Sequence, residues 1–135
     1  PDMHLTINGG IQPDMVADHL AVMDGVMVGR AAYHQPWDAL GAADAHWGDR
    51  PPFLHPEDAA RAMRPLIARW LAEGARIHQI SRHMLGLFHG RPGARLWRRT
   101  LSEGASKAQN PAEGLALYDA ALDQVLDATE AACPN

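Results

Sequence analysis

Residues 76–99 read RIHQISRHMLGLFHGRPGARLWRR, a composition unlike that of the chain around them. The stretch holds six of the twelve basic residues and three of the eight histidines but no Asp or Glu, in a chain whose formal net charge is −4. Charge placed so unevenly points to an anionic partner. At about 100° per residue on a helix, Arg95, Arg98 and Arg99 fall within roughly a third of a turn of one another, with Ala94, Trp97 and Leu101 opposite. That spacing predicts a helix with one core face and one row of guanidiniums. Pro92 suits the first helical turn, and Gly90 and Gly93 let the chain turn into it. Just upstream, Ile77, Ile80, Met84, Leu87 and Phe88 form an apolar stripe with His78, Arg82 and His89 off it, which predicts a second helix. By charge alone, a solvated basic face that balances acidic neighbours reads the same way. Arginine's planar fork pairs bidentately with phosphate and stacks on bases, but with eleven Arg against one Lys, genome composition also accounts for the preference.

Further helices are expected on both sides of this stretch. Residues 57–73 place Ala60, Met63, Ile67, Trp70 and Leu71 inward and Arg61, Arg64 and Arg69 outward, with Pro65 as an interruption and Gly74 as the stop. Residues 102–110 read as a polar loop. Pro111 then opens a last helix to Ala132, with Leu115, Tyr118, Leu122, Val125 and Leu126 spaced for burial. Its other face carries Glu113, Asp119, Asp123, Asp127 and Glu130, most simply a solvated acidic face. Residues 57–135 thus predict a four-helix bundle within a mostly α fold.

The N-terminal part reads differently. His4-Leu5-Thr6-Ile7 is a short β-branched run that ends at Asn8-Gly9-Gly10. A helix start follows at Ile11-Gln12-Pro13-Asp14, with Met15, Val16, His19, Leu20 and Met23 at helical spacing. Asp24-Gly25 closes it, and Val26-Met27-Val28 is a second apolar run that ends at Gly29-Arg30. Strand, helix and strand in this length make one β-α-β unit of parallel strands. In an α/β barrel the ligand lies at the carboxyl ends of the strands. Glycines there let backbone N–H groups approach phosphate oxygens, and Arg30 would supply the charge, although ordinary turn glycines look the same. Two strands alone do not make a stable sheet, so the unit is expected to belong to something larger. Residues 38–56, rich in Gly, Ala, Asp and Pro, read as a linker, with Trp47 and Phe53 expected to pin it to a neighbouring surface.

Composition excludes several classes. Apolar content is ordinary for a globular protein, no run approaches the ~20 apolar residues of a membrane span, and residues 1–10 carry no secretory signal. A single cysteine, Cys133, fits a cytoplasmic protein and reads as a tail residue with nothing nearby to activate it. Histidines do not recur at metal-ligand spacing, so no metal is expected. There is no P-loop, no G-x-G-x-x-G, and no local motif for a nucleophile or a proton donor.

INGGI at 7–11, DGVMVGRAAY at 24–33 with Pro36 three residues on, and RHMLGLFHGRPGARLWRRTLSE at 82–103 closely resemble the C-terminal part of bacterial tRNA-dihydrouridine synthases of the A type. The likeness covers nearly the whole chain. Members of that family join an FMN-binding (β/α)8 TIM barrel to a helical domain and reduce D-loop uridines of tRNA with NADPH as electron source. The resemblance implies that residues 1–37 are the last strand-helix-strand of the barrel, that Asn8, Gly9 and Gly10 line the flavin site, and that Gly29 and Arg30 hold its phosphate. It implies further that 57–135 grip tRNA, with Arg82, Arg95, Leu96, Arg98 and Arg99 as contacts. The family's catalytic cysteine lies on an earlier barrel loop and has no counterpart here, so the chain by itself is expected to be inactive. Two other classes share parts of this pattern: a noncatalytic helical RNA- or protein-binding module, and an FMN barrel acting on a small molecule, which would have no use for the arginine row.

Overall fold

The computed structural model describes residues 3–133. In chain order they form β1 (Thr6–Asn8), a 3-10 turn (Pro13–Met15), α1 (Val16–Leu20), β2 (Gly25–Met27), α2 (Gly29–His34), α3 (Pro36–Leu40), a second 3-10 turn (Ala43–Trp47), α4 (Pro56–Ala72), α5 (Ile77–Ser81), α6 (Ala94–Gly104) and α7 (Pro111–Ala132). The protein is mostly helical, with the expected strand-helix-strand at its N-terminal end.

β1 and β2 pair in parallel, Thr6 opposite Gly25, Ile7 opposite Val26 and Asn8 opposite Met27. Both strands sit within two residues of their predicted places. Their start is pinned by Asp24, whose carboxylate accepts from the Leu5 N–H at 2.8 Å, while the Asp24 N–H donates to the Leu5 carbonyl at 3.0 Å. The single helix expected between them is instead a 3-10 turn and the five-residue α1, neither with a buried residue. The segment packs only against β2 and buries no side chain fully, and a short helix with so little tertiary support is marginal.

The helical part is organised on α7. Pro111 and Asn110 start it: the Asn110 side chain accepts from the Glu113 N–H at 2.9 Å, and the Glu113 carboxylate reaches back to the Gln109 N–H at 2.7 Å. Tyr118, Ala121, Leu122 and Val125 are buried, as expected, and Leu115 and Leu126 are partly so. α4 and α6 both pack against α7. α4 runs through Pro65 and ends at Gly74, whose φ is +97°; the Ala75 N–H bonds to the Trp70 carbonyl and the Gly74 N–H to that of Leu71, a Schellman stop. Glycine is required at Gly93, where φ is +77° and a Cβ would lie 2.8 Å from the Cα of Val125.

Three aromatic rings close the core. Phe88 meets Trp97 edge to face at 5.0 Å, and Trp97 meets Tyr118 at 5.5 Å. All three are fully buried. Their polar handles are satisfied: the Trp97 Nε1 donates to the Met84 carbonyl at 2.9 Å, and the Tyr118 hydroxyl to the Ala60 carbonyl at 2.8 Å.

Several expectations are corrected. The helix predicted over 76–89 survives only as α5; from Met84 onward the bonds run i to i−3, as Met84 to Ser81, Leu87 to Met84 and Arg91 to Phe88. Of the four helices expected over 57–135, three are long, α4, α6 and α7, and α5 is a single five-residue piece. The chain leaves α-helical geometry after Ser81; the turns that follow set Gly86 where a Cβ would collide with the His34 carbonyl, and their Met84 carbonyl accepts both the Leu87 N–H and the Trp97 Nε1. Pro92 precedes α6 instead of opening it, because Gly93 is the N-cap. The loop predicted from Ser102 begins only after Gly104. Trp70, expected inward, is 36% exposed, and Trp47, expected to pin the linker, is 71% exposed. Phe53 alone is half-buried, beside Trp37 and Arg91, and residues 38–56 include α3's end and a 3-10 turn. Nor is the acidic face of α7 wholly solvated: Asp119 accepts two hydrogen bonds from Arg64, at 2.7 and 2.8 Å.

Truncating Trp97 to Ala is expected to cost about 3–5 kcal/mol in urea unfolding, whereas Trp47→Ala should stay within about 0.5 kcal/mol. Burial, and secondarily the Asp119 carboxylate, raises the Tyr118 hydroxyl well above its ordinary value. A group whose folded value is raised contributes stability that is whole below its unfolded value, about pH 10 for Tyr, and falls as pH climbs beyond it. Alkaline denaturation should accordingly be steeper in the wild type than in Tyr118→Phe.

Candidate nucleic-acid interface and strand-end cleft

The five N-terminal residues singled out by sequence come together. Asn8, Gly9, Gly10, Gly29 and Arg30 line one cleft of about 330 Å³, completed by Ile11, Gln12, Met27 and Val28, at the carboxyl ends of both strands. Gly9 and Gly10 have φ of +116° and +68°, and no atom lies within 4 Å of where their Cβ atoms would be. Open, positive-φ backbone of this kind can approach a ligand closely. α2 begins at Gly29 with no oxygen cap on its first turn, the Gly29 N–H facing only the Met27 Sδ at 3.3 Å, a weak acceptor. Arg30 is exposed and makes no ion pair among the described residues. Donors without acids suit an anionic group such as a phosphate.

The second surface lies on α6. Trp97 and Leu101 are buried, which turns Arg95, Arg98 and Arg99 outward. None of the three pairs with a carboxylate among the described residues, although Arg61, Arg64 and Arg69 on α4 all do. The contrast matters because a basic face kept for balance would be paired like that of α4. Leu96 is half-buried at the edge of the row. Arg82 stands apart from the helix, at the end of α5, where its Nε lies 3.1 Å from the His83 Nε2.

His83 and His89 tie the two parts of the chain together. The Tyr33 hydroxyl on α2 lies 3.3 Å from the His83 Nδ1, and the His89 Nδ1 lies 3.5 Å from an Asp38 oxygen on α3. With Gly86 pressed on the His34 carbonyl, these contacts dock α2 and α3 on the turns that precede α6. Sequence reasoning missed Tyr33, Asp38 and Gly86, whose partners are distant in sequence. Among the described residues no group of His, Cys, Asp or Glu could hold a metal ion, and no helix is long and apolar enough to cross a membrane.

A sequence model of the family described as Dihydrouridine synthase matches residues 2–126. The chain belongs to the dihydrouridine synthase family. Its curated relatives include proteins named tRNA-dihydrouridine(20/20a) synthase from Salmonella typhimurium, 46% identical over 94% of this chain and 38% of the relative, and from Pseudomonas aeruginosa, 42% identical over 91% and 36%. Another, from Escherichia coli strain K12, is 49% identical over 80% of the chain and 32% of its own length. The chain thus spans about a third of the length of the dihydrouridine synthases it matches. Both surfaces, the strand-end cleft and the arginine row, lie inside the matched range.

Proposed function

We propose that this chain is the C-terminal portion of a flavin-dependent tRNA-dihydrouridine synthase, and that its α6 face grips the tRNA. The observation that carries the reading is the unpaired row of Arg95, Arg98 and Arg99 on a helix whose opposite face is locked in the core, in a relative of enzymes named for tRNA. Leu96 borders this row, and Arg82, set apart at the end of α5, is the remaining contact of the proposed surface. Residues 57–135 form the tRNA-binding domain, 38–56 connect it, and 1–37 are the last strand-helix-strand of a TIM barrel. Exposed apolar side chains on the N-terminal part, among them Met3, Leu5 and Val22, support a barrel remainder that covers them.

The strand-end cleft fits the phosphate end of FMN. Gly9 and Gly10 leave room for close backbone approach, Arg30 and the first turn of α2 supply positive charge, and Asn8 adds a polar side chain. FMN when bound supplies hydride transfer to the uracil ring, with NADPH as the electron source. This chain's own residues hold, orient and grip; no side chain among the described residues is placed as the proton donor, and Cys133 is exposed at the far end of α7. The chain alone is therefore inactive in this reading, and the whole enzyme works in the cytoplasm.

Charge reversal tests the grip. Arg95→Glu, Arg98→Glu and Arg99→Glu together should weaken binding of unmodified tRNA at low salt by at least about 100-fold, each lost phosphate contact removing its counterion release. Helicity should persist, since the three side chains are exposed. Unchanged affinity in a folded triple variant would return the row to an ordinary solvated surface and favour the small-molecule oxidoreductase.

A further inference from the structure

A further cleft lies in neither of the places described so far. It has a volume of about 620 Å³ and lies between the turn that joins α4 to α5 and the turn that joins α6 to α7. Its size is within the roughly 300–1,000 Å³ of small-ligand sites. Half-buried Ala75 and Ala108 and exposed Pro111 give it an apolar wall, over buried Leu71, Ile77 and Ala105. Arg76, His78, Ser102 and Gln109 stand on its rim with side chains that make no hydrogen bond among the described residues. No Asp or Glu lines it, although acids outnumber bases in the chain. An apolar wall with amide, hydroxyl and cationic groups at the edge matches a nucleotide: a flat base face, a hydrogen-bonding base edge and a phosphate.

Its position relative to α6 says where that nucleotide comes from. At about 100° per residue, Ser102 falls between Arg98 and Arg99 around the helix, and about 4.5 Å beyond Arg99 along it. The arginine row therefore leads to the rim of the cleft. A strand whose phosphates follow the row arrives there with its next nucleotide, and sequence-selective RNA recognition works by splaying out single unstacked bases.

We propose that this cleft receives one unstacked nucleotide of the tRNA held by Arg95, Arg98 and Arg99. The inference rests on the tRNA reading above and adds a second foothold to it. Arg76 meets the phosphate, the wall that Ala75, Ala108 and Pro111 expose takes the base face, and Ser102 and Gln109 address the base edge.

Ser106→Trp on this chain tests it, since Ser106 is an exposed lining residue whose replacement fills the cleft without changing charge. The affinity for unmodified tRNA should fall about tenfold while the slope of log affinity against log salt stays the same; Arg76→Ala should weaken binding and reduce that slope by about one. Far-ultraviolet circular dichroism confirms that both variants are folded. If the wild type fails to bind tRNA, the grip and the cleft fall together. If the wild type binds and both folded variants bind equally well, the cleft proposal alone is overturned. Titration with uridine 5′-monophosphate separates the two sources of a nucleotide: loss of its binding in Ser106→Trp with tRNA affinity unchanged would assign the cleft to a free nucleotide and overturn the RNA assignment.

Discussion

The indole of Trp97 sets the orientation on which the candidate RNA surface depends. It is held on two sides by ring edges, from Phe88 at 5.0 Å and Tyr118 at 5.5 Å, and its one polar atom is bound to the Met84 carbonyl at 2.9 Å. These contacts define how α6 is rotated about its own axis. A shift of one residue would turn the helix by about 100°, carry Trp97 toward water and bring an arginine toward the apolar core. Core packing and the outward arginine row are thus two faces of one constraint.

The glycines at both ends of α6 work with that constraint. Gly93 lies against Val125, and Gly104 against Leu117, so α6 crosses α7 closely and in the opposite direction. Bulk at either end would lift the helix away from α7. The turns from Arg82 to Gly93 have a double role: they deliver Phe88 and the Met84 carbonyl to the core, and they present Gly86, His83 and His89 to α2 and α3. A straight helix over that stretch could not do both.

What could be read from the sequence follows the range of the forces involved. α7 was legible because Asn110, Pro111 and the spacing of Tyr118, Leu122 and Val125 are local signals. The strand-end cleft was legible for the same reason, since Asn8-Gly9-Gly10 and Gly29-Arg30 each follow an apolar run. The outward face of α6 came from periodicity alone. Failures occur where distant contacts shape a segment: the helix over 76–89 gives way after Ser81 to turns that carry Gly86 onto His34, which no local pattern announces. Trp47 and Trp70 were assigned to buried surfaces by hydrophobicity, yet each is exposed where no neighbouring segment covers it. The 620 Å³ cleft was missed because its lining comes from residues 71–78 and 102–114, brought together only by folding.

Tying core orientation to RNA grip leads to one direct measurement, the affinity of this chain for unmodified tRNA across a salt series. Three to four arginine–phosphate contacts predict a slope of log affinity against log salt of about −2 to −4, by counterion release. A slope near zero, or no binding at low salt by a folded chain, would contradict the assignment of the α6 face to tRNA.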